Sequence, residues 1–302
     1  MTSLGSIVGG AFGVLFRHPL AVLVWGLLYA AMYIAMMLLM WPIFETVLTM
    51  PAKAGNEEAM FVALNRLQVN AGLMPLMQVG MYVVPALAFT AAMRSVLRPE
   101  QKGFFYLRLG MDEVRVGAVW FILNMALGLG MVVAIIPVAI VAAIVGAAGG
   151  GEAAVLVAVL LFLAAICAFI YFLVRLSLIA PLTFLRREFA FGEAWRITRG
   201  HFWTLFGSYF VLAFVQGLVT MAAWLAMLWP LFGDLGQAGF DPARFHEIVL
   251  AQIQRLARPE VTTIIGWSLV ALTSGISIAL FGGAVATAAR DLAPEEQSAT
   301  AR

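Results

Sequence analysis

Residues 116–151 read VGAVWFILNMALGLGMVVAIIPVAIVAAIVGAAGGG and residues 153–174 read AAVLVAVLLFLAAICAFIYFLV, with Glu152 as the one charge between them. A bilayer hydrocarbon core of about 30 Å is crossed by about 20 apolar residues in a helix. Each stretch is long enough to cross, and the cluster Gly146-Ala-Ala-Gly-Gly-Gly-Glu152 between them reads as a tight turn, because glycine adopts turn geometry readily. Four more stretches are free of charge: Pro19–Phe44, Leu67–Met93, Phe202–Gly233 and Val261–Ala289. The expected fold is therefore all-α, a polytopic bundle of six transmembrane helices arranged as three hairpins with short interfacial amphipathic helices. Residues 1–302 form one integral membrane domain, with spans near 20–41, 73–93, 117–143, 153–175, 205–229 and 262–288.

Composition agrees. Of 302 residues, 63% are hydrophobic and 11% charged, against about 45–50% and about 25% in soluble domains. So few charges cannot cover the surface of a water-soluble fold of this length, and the expected partner is the lipid bilayer. The net charge of +2 gives no case for nucleic acid. Cys167, the sole cysteine, sits in an apolar run and reads as an inert, buried small hydrophobe. No Cys/His spacing suits a metal, and no cofactor is expected.

Orientation follows from Lys and Arg. Arg17, the loops after the second and fourth spans, and the C-terminal tail together carry thirteen of these residues, whereas the other side carries five. The positive-inside rule puts the thirteen in the cytoplasm, with both termini, and the expected location is the bacterial inner membrane. The first apolar run is too long for a signal-peptide core and reads as a retained first helix.

Amphipathic segments flank the spans. Outside, Asp241-Pro242 is a good helix start, followed by Phe245, Ile248, Val249, Ile253 and Leu256 on one face; Asn56 precedes a similar stripe of Met60, Leu64 and Leu67. Inside, Leu4, Ile7, Val8, Ala11 and Leu15 precede the first span, and Phe191, Trp195, Thr198 and Phe202 lead into the fifth. These read as interfacial anchors. The two ends of the chain also resemble each other. Trp41-Pro42-Ile43-Phe44 matches Trp229-Pro230-Leu231-Phe232 at the outer ends of spans one and five, Arg66-Leu67 matches Arg255-Leu256, and Thr90-Ala91-Ala92 before Arg94 matches Thr287-Ala288-Ala289 before Arg290. The order implies a parallel repeat of leading helix, span, outer helix and span, which lowers the case for an inverted-repeat transporter.

Residues that would carry chemistry are scarce. No Asp or Glu falls inside the expected spans, so coupled transport through a membrane carboxylate is not expected. Gln78, Asn124 and Gln216 lie within spans and read as interhelical hydrogen-bonding groups. His18, His201 and His246 have no second metal ligand at a suitable spacing. No Gly-x-Ser-x-Gly elbow or phosphate loop occurs, and no catalytic residue is assigned.

The segment Val174-Arg-Leu-Ser-Leu-Ile-Ala-Pro181 leads into Phe191-Gly-Glu-Ala-Trp-Arg-Ile-Thr-Arg-Gly-His-Phe-Trp203. Through Arg175, Ser177, Pro181, Ala194, Trp195, Thr198, Gly200 and Trp203 it resembles the bacterial six-helix membrane families that include YciC-like proteins and the membrane domain of glycerophosphoryl diester phosphodiesterases. The stretches Gly10–Arg17 and Ala284–Leu292 are similar to the beginning and end of those families. The resemblance implies the same six-helix topology and little about activity. The catalytic phosphodiesterase barrel of the fused members needs about 200 residues or more, and no loop here would hold it.

The expected function is a non-catalytic membrane component that organises lipid, assists envelope proteins or binds a partner, which is a membrane protein or a second copy of the chain. A facilitator of a small or amphipathic molecule is the alternative, and a lipid-directed membrane enzyme the third. The residues singled out are Arg175, Arg186, Arg187, Arg196 and Arg199, as anionic-lipid or structural contacts, with Arg175 expected to hold the connection between spans four and five through phosphate, Glu188 or Glu193.

Overall fold

A computed structural model describes residues 3–49, 74–147, 151–238 and 261–293, with isolated positions at 61, 65, 68, 72, 248 and 251. The described residues are helical almost throughout: α1 Leu4–Arg17, α2 Pro19–Thr49, α3 Met74–Leu97, α4 Met111–Ala147, α5 Gly151–Leu176, α6 Ile179–Arg186, α7 Phe191–Arg199, α8 Phe202–Ala238 and α9 Val261–Leu292. Six of them, α2, α3, α4, α5, α8 and α9, are long and apolar enough to cross a membrane. The outer stripes around Met60 and Phe245 lie outside the described residues, although Phe61, Asn65, Gln68, Ile248 and Ala251 are each helical.

Local signals set the helix starts. Ser3 caps α1, accepting from the Ser6 N–H at 3.1 Å while Ser6 Oγ accepts from the Ser3 N–H at 3.2 Å. His18 ends α1, its N–H donating to Val14 O, and Pro19 opens α2, where a missing N–H costs nothing. The Trp-Pro pairs expected at the outer ends of spans one and five lie inside α2 and α8, which run on to Thr49 and Ala238.

α9 is the hub: it packs against α1, α2, α3 and α8. Small residues allow this. A methyl group on Gly26 of α2 would overlap the Ala271 carbonyl of α9, and one on Gly275 would overlap the Val22 carbonyl, so the two backbones touch where the helices cross. Gly282 faces Ala92 of α3, with 2.6 Å left for an added carbon, and Gly283 faces Ala11 and Val14 of α1 at 3.1 and 3.0 Å. Lipid gives helices no hydrophobic reason to associate, so close packing of small residues is what joins them. α1 is thereby a packing helix, with Ile7, Ala11 and Val14 buried, while Leu4 of the expected stripe is exposed.

The α4–α5 hairpin is built differently. It packs on itself and meets the rest mainly at its base, where Val116, Val119, Val174 and Arg175 are buried. Further out Ile136, Ile140, Leu156, Leu160 and Phe162 are exposed, and so is Cys167, which corrects the expectation of a buried thiol.

The two ends of the chain keep part of the expected repeat. A short leading helix precedes a long one in α1–α2 and in α7–α8, and both Thr-Ala-Ala triads, at 90–92 and 287–289, are buried. The arginines that follow them diverge: Arg94 is 2% exposed, whereas the Arg290 side chain is 43% exposed and bonds its neighbour Asp291.

Candidate functional site

One end of the bundle gathers the 98–110 loop, α6, α7 and the start of α8; it is the basic end. Arg175 is 2% exposed at the foot of α5, its guanidinium carbon 4.1 Å from the Trp195 ring centroid and 6.0 Å from that of Tyr171. Its Nε and Nη1 are buried without a hydrogen-bond partner. Its own carbonyl accepts from Thr198 Oγ1 at 3.1 Å. Arg175 thus ties α5 to α7 through ring contact and backbone, not through a carboxylate. Glu193 pairs with Arg186 instead, and Glu188 is exposed. Arg187 caps α6 in a left-handed conformation (φ 59°), and Arg196 and Arg199 are exposed on α7. The five arginines thus have different surroundings, from the buried Arg175 to the exposed Arg187, Arg196 and Arg199.

Among the described residues, the most buried ion pair joins two residues that read as loop charges in the sequence. Arg94 lies within α3 and Glu113 in the first turn of α4, 2% and 6% exposed, and they bond to each other. Arg94 also donates to the Tyr106 carbonyl. Arg98, the first residue past α3, bridges to Asp112 at 3.1 Å and to the Phe184 carbonyl at 3.0 Å, with its guanidinium 4.5 Å from the Phe184 ring centre; Arg115 joins Asp112 at 3.3 Å. Phe105 and Tyr106, at φ 52° and 63°, adopt the left-handed region that non-glycine residues seldom enter. The Trp25 indole, 3.0 Å from the Phe105 carbonyl, and Arg94 hold them there. His18, edge-on to Tyr106, has its pKa lowered by burial and then by the charges of Arg17 and Lys102. The signal for the pair was present, since Glu113 falls in the first turn of a helix. Whether it and Arg94 face each other depends on helix rotation, which the sequence does not show.

The opposite half of the bundle holds a cavity of about 560 Å³. It lies against the half of α9 remote from the basic end, between α2 and α8, with Phe89 of α3 beside it. Rings of Tyr29, Tyr33, Trp224 and Trp267 form much of its wall. Polar groups cluster on α8 and α9: Gln216, Thr220, Thr273, Ser274 and Ser277. Gln216 donates to Thr220 Oγ1 at 3.1 Å and to the Thr273 carbonyl at 3.2 Å, while its Oε1 has no partner. The interhelical bond expected of Gln216 is therefore made. Asn124 instead turns back on Trp120 O of its own helix, and Gln78 is exposed. Among the described residues no carboxylate, histidine or cysteine lines the cavity. Toward the basic end it is stopped by packed Trp25, Ala88, Ala91, Ala92, Ile278 and Ala279. Among the described residues no cluster of His, Cys, Asp or Glu could hold a metal.

Fold and sites together define an all-helical bundle of six helices able to cross a membrane, with an apolar-walled cavity in one half and buried ion pairs in the other. Comparison of the chain with protein-family models, with curated proteins and with solved structures finds no match in any of the three.

Proposed function

We propose that this protein is a non-catalytic, multi-pass component of the bacterial inner membrane that holds one amphipathic, lipid-like molecule in the cavity between α2, α8 and α9. The observation that carries the reading is the cavity itself. Its volume of about 560 Å³ suits a small ligand or a single acyl chain, and its wall is mostly ring and hydrocarbon. Thr220, Thr273, Ser274 and Ser277 give part of the wall a polar character that suits the head of an amphipathic occupant. The thirteen-to-five distribution of Lys and Arg supports a cytoplasmic basic end and cytoplasmic termini. The motif around Arg175, Trp195 and Thr198 supports placement with the YciC-like and phosphodiesterase-membrane-domain families. A facilitator of the same class of molecule is the second reading; the packed layer at Trp25 and Ile278 favours holding over passage.

Native mass spectrometry of the detergent-purified chain tests this. The wild type is expected to retain one lipid-mass adduct that Thr220→Phe, which puts a ring into the cavity, retains to a clearly smaller extent without a change of fold. A wild type free of adduct, or equal retention in the variant, would overturn the reading.

A further inference from the structure

The basic end holds a second cavity, of about 480 Å³, between the 98–110 loop, the first turn of α4 and the end of α6. Its wall carries four guanidiniums, of Arg94, Arg108, Arg115 and Arg187, against two carboxylates, of Asp112 and Glu113. Both carboxylates are taken: Glu113 by Arg94, and Asp112 by Arg98 at 3.1 Å and Arg115 at 3.3 Å. Arg108 and Arg187 are exposed, and among the described residues neither has a carboxylate partner. Arg94, almost wholly buried, commits Nη1 and Nη2 to Tyr106 and Glu113, and its buried Nε has no partner. The Gly110 carbonyl accepts the first hydrogen bond of α4, from Val114 N at 3.2 Å, so the N–H groups of Met111, Asp112 and Glu113 precede the helical ladder at the cavity's edge.

We propose that this cleft binds a phosphate-bearing anion. Two planar forks free of carboxylates and the open N–H groups of a long helix suit an oxyanion over chloride, and together with the excess of positive charge on the wall they offer donors to more oxygens, and to more negative charge, than a carboxylate presents, as a phosphate does. The volume leaves space for the organic substituent of a phosphate ester. At the mouth of a membrane-crossing helix, that ester is a phospholipid headgroup or a soluble organic phosphate, and both present the same chemistry. The cleft is separate from the apolar cavity and does not rest on what that cavity holds.

Binding of short-chain phosphatidic acid and of glycerol phosphate to the full chain in detergent tests this, with phosphatidylcholine of equal chain length as the control. At least one phosphate monoester is expected to bind and to raise the melting temperature, and R108Q/R187N is expected to weaken that binding by about tenfold or more. Both side chains are exposed, and Asn tolerates the left-handed conformation of residue 187, so the ligand-free melting temperature stays that of the wild type. R108Q alone, at an ordinary backbone position, is expected to weaken binding by about threefold. R196Q/R199Q, which removes two exposed charges outside the cleft, is expected to bind within about twofold of wild type. Binding of phosphatidic acid alone assigns a lipid headgroup, and comparable binding of glycerol phosphate assigns a soluble ester; either supports the site. Absence of binding, an undiminished affinity in R108Q/R187N, or an equal loss in R196Q/R199Q overturns it.

Discussion

α9 and the α4–α5 hairpin are both membrane-length and apolar, yet they occupy opposite places in the protein. Half of the most apolar stretch of α9 is buried, at a mean hydropathy of 2.0, whereas none of that of α4 and 6% of that of α5 are buried, at 2.8 and 3.1. The more hydrophobic helices are the less buried ones. In water the order would be reversed. In a bilayer the tails are as apolar as leucine, so burial goes to the helices that pack closest. α9 brings Gly275, Gly282, Gly283 and Ala279 to its neighbours, while the hairpin offers Ile, Leu, Val and Phe that nothing among the described residues receives.

The largest expected effect breaks the link between the two regions. Arg94 and Glu113 join α3, which packs on the hub, to the base of α4. Glu113→Gln leaves a buried guanidinium without its counter-charge, expected to destabilise the protein by about 3–5 kcal/mol. Thermal unfolding in detergent would show it, and Arg94→Met with Glu113→Leu should recover much of the loss. An unchanged transition in Glu113→Gln would mean that the hairpin is attached by other contacts.

A matched set of glycine substitutions sharpens the comparison. Gly275→Leu forces a side chain into the Val22 backbone and is expected to cost about 3 kcal/mol or more. Gly128 and Gly130 in α4 are exposed and an added Cβ at either meets no atom within 4 Å, so Gly128→Leu and Gly130→Leu are expected to be neutral or slightly stabilising. Similar losses at both places, read from melting temperatures, would contradict the division into hub and hairpin.

Smaller again is the contact that steadies the foot of α5. Arg175→Lys keeps the charge but removes the planar face from Trp195, and about 1–2 kcal/mol is expected to go with it. Trp195→Leu should lose a similar amount, and Trp195→Leu in the Arg175→Lys background should add little. If Lys melts like wild type, Arg175 serves only as an interfacial charge.

The sequence by itself determined the number of long helices, their positions to within several residues and the gathering of Arg at one end. Those properties are sums over local stretches: charge-free length decides whether a helix can cross, as at 116–151 and 153–174. Only the tertiary structure decided which helix stands at the centre, that Arg94 and Glu113 meet, that Glu193 goes to Arg186 and leaves Arg175 to Trp195, and where the two cavities open. Each depends on the rotation and register of helices far apart in the chain. A pattern of apolar residues on all sides does not specify rotation, since no face of such a helix is marked for lipid or for protein. Backbone contact at Gly26 and Gly275 specifies it, and that contact exists only once the two helices have come together.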